Sequence, residues 1–473
     1  MLLKLSTYLR HLVPPGIRLR KFIKVIFYLV FFTSLLGFMF NLNAVDCRNG
    51  ENKCSNIGRK IGPEILGSNL ESPVTSTEQS FRTAKIHEYF YRHVASNSIP
   101  EQLHCLDLTL ANEHANNAAA RLRLPSADLV PALVDNSYFH FVLASDNVLA
   151  ASVVAKSLVQ NSLQPWKVVL HIITDKKTYN SMQAWFSLHS LSPAIIEVKS
   201  LQDFDWFREG KVSLLEAMEK DQHVRSRFRG GSSAIISNTA EKPEDIAAKL
   251  KALSPTYSSV MNHIRIYIPE VKSKAIGSKL FPSLDKVVFL DNDIVVQTDL
   301  SPLWDIDMNG KVNGAVETCK GKDKRVMSKM LKSYLNFSHP LISKNFDPNE
   351  CAWAYGMNIL DLEAWRKTNI SYTYHYWVEQ NIKSDLSLWH LGTLPPGLIA
   401  FHGNVHTIDP FWHMLGLGYQ ENTNLVDAKN AGVVHFNGWA KPWLDIAFPQ
   451  LKPLWTKYVD FSDNFIESCH IRA

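Results

Sequence analysis

No Cys-x-x-Cys pair occurs in the sequence: the six cysteines, Cys47, Cys54, Cys105, Cys319, Cys351 and Cys469, are scattered through 473 residues. That spacing argues against a structural zinc site. An excess of charge of one sign is lacking too. Fifty Lys and Arg face 45 Asp and Glu for a net charge of +5, and several of the basic residues sit at the N-terminus. Nothing in that balance marks a nucleic-acid binder. The glycine pair in Arg229-Gly230-Gly231-Ser232-Ser233 follows neither the phosphate-loop nor the dinucleotide spacing, so its surroundings read as a flexible loop. Hydrophobic content of 46% with 20% charged residues excludes wholesale disorder. The length suits one large α/β domain with accessories.

One long apolar run is present, and it lies near the start. Lys4, Arg10, Arg18, Arg20, Lys21 and Lys24 precede a charge-free stretch over 25–45. That length spans a bilayer, and the basic flank stays cytosolic. A cleaved signal peptide would have a shorter apolar core, and no small-residue cleavage site follows. The expectation is a single-pass signal anchor with a lumenal C-terminal portion. The sequons at Asn336 and Asn369 are compatible with glycosylation on that side, where cysteine pairs also form, although the connectivity cannot be read.

Beyond the anchor, residues 46–84 are polar and read as a stem. Residues 85–135 read as a helical neck, with helix in two pieces broken near Ser98-Ile99-Pro100. From Asn136 to the C-terminus, apolar strands alternate with helices. Strands are expected at 138–144, 167–173 and 194–198, and a helix at 148–159. Such βαβ units imply an α/β fold with a mostly parallel sheet flanked by helices. Ligands of such sheets bind beyond the C-terminal strand ends, which places Ser145-Asp146-Asn147 and Asp291-Asn292-Asp293 at one crevice. Asp146 reads equally well as a helix N-cap or a ligand contact. The polar insertion over 204–242 would lie over that crevice. Residues 258–269 read as a helix whose Arg265 either pairs with Asp291, reaches a diphosphate or lies on the surface.

The chain is organised around residues 286–300, KVVFLDNDIVVQTDL. Val287 to Leu290 suits a strand buried on both faces of a parallel sheet, and it stops on two carboxylates. Carboxylates beside a buried strand are costly unless a cation meets them, and alternate residues at a strand end turn two oxygens toward one ion. The plain rival is a polar loop with a capping Asp. A second cluster, VVHFNGWAKPW over 433–443, delivers His435 from a short strand, then Gly438 for close backbone approach, then the charge of Lys441. Imidazole with two carboxylates favours a transition ion such as Mn2+ over Ca2+. With Lys441 the ion would neutralise a diphosphate. A lone histidine at a strand end is more often a packed residue than a ligand; the combination is what carries the reading.

The order of Ala144-Ser145-Asp146, Asp291-Asn292-Asp293 and HFNGWAKPW resembles glycosyltransferase family 8. The stretches LDNDIVVQTDLSPLW, WAYGMNILDL, LGTLPPGLIAF and WHMLGLGY resemble, more narrowly, the plant galacturonosyltransferases of pectin and xylan synthesis. The resemblance implies a GT-A fold over 136–473 and a Golgi type II membrane enzyme. It also implies a UDP-sugar donor, Mn2+ and retention of the donor's α configuration. By matching motif, Asp291, Asp293 and His435 become metal ligands. Ala144, Ser145 and Asp146 would lie near the nucleotide. Arg265, Gly438 and Lys441 would lie near the diphosphate or donor, and Gly356 and Asn358 would line the sugar pocket. The implied activity is galacturonate transfer from UDP-galacturonate to a polysaccharide such as homogalacturonan or a xylan-linked oligosaccharide.

Three departures stand out against that pattern. Residues 271–279, VKSKAIGSK, interrupt a connection expected to be short. The stem looks short, and the Asp-Gln-Asp of broader relatives is missing near 384–389, with Ala354 where many carry Asn. The acceptor-side catalytic group is therefore unassigned. The rivals to a galacturonosyltransferase are a transferase of another UDP-sugar and a non-catalytic subunit that anchors a paralogue in a homo- or hetero-oligomer.

Overall fold

The computed structural model describes residues 73–204, 260–269, 281, 283–319, 329–389 and 392–472. The expected membrane span over 25–45, the insertion over 204–242 beyond Phe204, and residues 271–279 lie outside them. Among the described residues no helix is long and apolar enough to cross a membrane. The chain divides into two compact units, residues 1–76 and 77–473; the sheets and the candidate site all belong to the second.

The neck is two helices, α1 (Pro73–Asn97) and α2 (Glu101–Asn116). Pro100 breaks them as anticipated, since it precedes the first turn of α2 and cannot continue α1. Helix α1 starts earlier than the expected stem boundary at 84.

The domain's strands are β1 (Phe139–Ala144), β2 (Val168–Thr174), β3 (Ile195–Ser200), β4 (Lys286–Leu290), β5 (Ile294–Val296), β6 (Asn313–Ala315), β7 (Met357–Asp361), β8 (Val405–Thr407) and β9 (Val433–His435). Helix α3 (Val148–Asn161) joins β1 to β2 and α4 (Tyr179–Leu188) joins β2 to β3. Seven strands form one sheet in the order β3-β2-β1-β4-β7-β6-β8. Strands β1 to β4 are parallel. On its other side β4 pairs antiparallel with β7, so the sheet is mostly parallel, as expected, with a reversal on one side. The sheet is mixed, and the reversal falls beside the central strand.

Alternate residues of the central strands feed two cores, as the period of two requires. Phe141, Leu143, Val288 and Leu290 face one core, which includes α3, β5 and β9. Val142, Val287 and Phe289 face the other. Helix α3 is capped by Asn147, whose side chain accepts from the Ala150 N–H at 3.0 Å. Asp146 is therefore not the cap; its neighbour, equally suited to the role, takes it. The stretch expected as a helix over 258–269 is, in its described part, one α-turn (Val260–His263) followed by a 3-10 segment (Ile264–Tyr267). Among the described residues two disulfides close the domain, Cys105–Cys469 and Cys319–Cys351.

Candidate active site

Strand β4 ends at Leu290, and the Asp291 N–H donates to the Gly356 carbonyl at 2.8 Å. The chain turns through Asn292, and Asp293 leads into β5. That short strand pairs antiparallel with β9, with Ile294 opposite His435. The Phe436 N–H donates to the Asp293 carbonyl at 2.8 Å. This two-stranded sheet joins segments 142 residues apart. Ligand atoms of Asp291, Asp293 and His435 all fall within 4.8 Å of one another. His435 Nε2 is 2.8 Å from Asp293 Oδ1 and 3.9 Å from Asp291 Oδ2. Two carboxylates with one imidazole are a donor set that fits Mn2+. A second trio, Glu317, Cys319 and Cys351, is also close, but its sulfurs are joined to each other and offer no thiolate.

Cations flank the carboxylates. Lys441 Nζ is 2.5 Å from Asp293 Oδ2 and donates to the Phe436 carbonyl at 2.8 Å. Arg265 is buried rather than on the surface, and its guanidinium meets Asp291 Oδ1 at 2.7 Å. It also donates to the Tyr355 carbonyl and to Asn358 Oδ1. The ring centroids of Tyr355 and Phe289 lie 3.5 and 4.3 Å from its guanidinium carbon. Burial pushes the Asp293 carboxyl up, but His435 and Lys441 outweigh it and hold that group well below the usual carboxylate range. Burial keeps the Asp291 carboxyl above its usual range despite Arg265. The two acids are electrostatically unlike, and Asp293 is the one fixed as an anion.

Ser145 and Asn292 join the ends of β1 and β4, with Asn292 Nδ2 donating to Ser145 Oγ at 3.1 Å. Ala144 and Asp146 flank that link, so the two segments meet at the ends of parallel strands β1 and β4. Gly356 lies against His435: a Cβ there would sit 2.0 Å from His435 Cε1. Gly438 has a packing reason to be glycine, since a Cβ would meet the Gly418 carbonyl carbon at 2.0 Å. Asn358 is buried, and its Nδ2 donates to the Ala354 carbonyl at 3.0 Å. Its amide thus supports Arg265 from within. Near 384–389 the chain turns, with Asp385 and Leu386 at positive φ. Asn336 and Asn369 are both exposed.

Two features escaped the sequence reading. Tyr355 stacks on Arg265, and burial pushes its phenol up to about 12, so it stays protonated. Behind Arg265 lies a cavity of ≈ 10 Å³, bordered also by Asn313, Tyr355 and Trp365. Arg265 Nε, both ends of the Asn313 amide, Tyr355 Oη and Trp365 Nε1 have no hydrogen-bond partner among the described residues. Polar groups gathered round a water-sized space are the setting in which buried water is held.

The sequence profile described as Glycosyl transferase family 8 matches residues 129–447. Among curated proteins the chain is similar to "Probable galacturonosyltransferase 12" of Arabidopsis thaliana, 62% identical over 543 residues and covering 100% of both chains. It is also similar to "Probable galacturonosyltransferase 13" of the same plant, 50% identical over 493 residues, covering 92% of this chain and 91% of that one. Among solved structures it is similar to the galactosyltransferase LgtC in complex with donor and acceptor sugar analogs. There the identity is 17% and the TM-score 0.40, covering 68% of this chain and 95% of that one.

Proposed function

This chain belongs to glycosyl transferase family 8 and, within it, to the plant galacturonosyltransferases, and on that premise we propose that it moves galacturonic acid from UDP-galacturonate to a hydroxyl of a cell-wall polysaccharide. The observation that carries the reading is the meeting of Asp291, Asp293 and His435 within 4.8 Å, flanked by Arg265 and Lys441. In this reading the domain has the GT-A fold, and the donor's α configuration is retained.

Asp291, Asp293 and His435 hold a divalent ion, Mn2+ by the chemistry of the donor set. When bound, that ion supplies positive charge to the diphosphate of the leaving UDP. Lys441 adds a second charge: Asp293 and the Phe436 carbonyl take two of its three N–H donors, and the third serves a phosphate oxygen. Arg265 fixes the Asp291 carboxylate, and Asn358 acts through Arg265. Ala144, Ser145 and Asp146 border the nucleotide, Gly438 lies near the diphosphate, and Gly356 lines the sugar pocket. Catalysis is positioning and electrostatics, with no obligatory protein nucleophile. An N-terminal anchor at 25–45 holds the site in the Golgi lumen, with glycans on Asn336 and Asn369.

A donor and acceptor screen tests the reading. The full-length chain, purified in detergent with Mn2+, is offered UDP-galacturonate, UDP-galactose and UDP-xylose, each with oligogalacturonides or xylan oligomers. UDP release that depends on both UDP-galacturonate and acceptor is the expected result. Preference for another sugar would reassign the donor. Release only in the presence of a paralogue would favour an anchoring subunit.

A further inference from the structure

His413 is buried to 1% exposure and is held by the same strand that delivers His435. The Met414 N–H donates to the Val433 carbonyl, and the His435 N–H donates to the Met414 carbonyl, both at 2.8 Å. The two imidazoles are stacked, with centroids 5.1 Å apart and planes 20° apart. His413 Nε2 lies 3.1 Å from His435 Nδ1. On its other side the His435 ring meets the bare Cα of Gly356, where a Cβ would come within 2.0 Å. His435 is therefore clamped between one nitrogen and one glycine.

We propose that His413 is a positioning residue that fixes the tautomer and the plane of His435 for a metal ion. The inference rests on Asp291, Asp293 and His435 being metal ligands. An imidazole that offers its Nε2 lone pair to an ion carries its proton on Nδ1, and that N–H needs an acceptor. His413 Nε2 is the only group at hydrogen-bond distance from it among the described residues. With Nε2 accepting, the neutral His413 ring carries its own proton on Nδ1, which is buried and has no partner among the described residues. Without an ion, the His435 Nε2–H donates to Asp293 at 2.8 Å; an ion would take the place of that proton, while the Nδ1–H stays directed at His413. A phenylalanine would fill the same space and keep the stacking, but could not accept that proton.

The test uses the full-length chain, His413→Phe and His413→Gln, with Mn2+ affinity measured by loss of the free-ion electron paramagnetic resonance signal. Metal-free melting temperature is measured on the same samples. His413→Phe should weaken Mn2+ binding by about 10–100-fold. His413→Gln keeps an acceptor and should recover most of that affinity at a similar melting temperature. Unaltered affinity in the His413→Phe protein overturns the inference, as does equal loss in both variants. Absence of Mn2+ binding by the unsubstituted chain would overturn the metal site itself, and this inference with it.

Discussion

Lys441 and His435 grip opposite oxygens of one carboxylate: Nζ is 2.5 Å from Asp293 Oδ2, and Nε2 is 2.8 Å from Asp293 Oδ1. The lysine and an ion bound at the site therefore draw on the same anion. Lys441→Met should leave Mn2+ affinity equal or higher in the absence of nucleotide, and lower UDP affinity at least tenfold, about 1.4 kcal/mol. Calorimetric titration with each ligand separates the two effects. A parallel fall in both would show that Lys441 only supports the fold of the site.

Gly356 and Gly438 are each within 2.0 Å of a would-be clash, but against different things. At Gly356 the obstacle is the His435 ring, a side chain that can move only by giving up its contacts with His413 and Asp293. At Gly438 it is the backbone of Gly418. Gly356→Ala should retain a folded protein that has lost most Mn2+ binding, whereas Gly438→Ala should lower the melting temperature as well. Thermal melts and ion titrations of the two purified variants make the comparison.

Arg265 combines a partly buried ion pair with Asp291, two further acceptors and two aromatic faces. Lysine keeps the charge but neither the planar fork nor the stacking. Arg265→Lys should cost about 1–3 kcal/mol of stability, the range for leaving buried acceptors unpaired. The urea midpoint should fall at constant slope, and transfer activity should fall with it.

Asp107, on α2, gives a pH signature. Burial, with the Asp146 and Asp175 carboxylates adding to it, raises its carboxyl to about 7. An acid whose folded value exceeds its unfolded value contributes stability fully below the unfolded value, and loses that contribution as pH rises to the folded one. The folded domain therefore carries a growing penalty from about pH 4 to about pH 7 and a constant one above. Asp107→Asn removes it. Its gain in melting temperature over the unsubstituted protein should increase across that range and then level off; a gain independent of pH would contradict the assignment.

How legible all this was in the sequence depended on distance along the chain. Strands β1, β2 and β4 were readable because burial on both faces demands continuous apolar runs. Asp291, Asp293 and His435 were readable because polar groups ending such runs need a reason. The antiparallel seat of β7 was not, since MNILD reads the same whichever neighbour it pairs with. Arg265 left three readings open because its burial depends on Tyr355 and Phe289, which are remote in sequence. Asn147 rather than Asp146 took the cap, because adjacent residues of equal capping strength are separated only by backbone angles. His413 stood in the motif WHMLGLGY without a role, because a single histidine among apolar residues carries no local sign of what its nitrogens face.

The bond from Cys105 to Cys469 closes residues 105–469 into one ring of chain. A ring has no loose thread. An exopeptidase working inward from the C-terminal side halts at the crosslink, and a pull on α2 is shared at once with the segment around Cys469 rather than peeling the fold from one side. While oxidised, the domain is mechanically one piece; a thiol reductant would turn it back into a string that can be drawn out from either end.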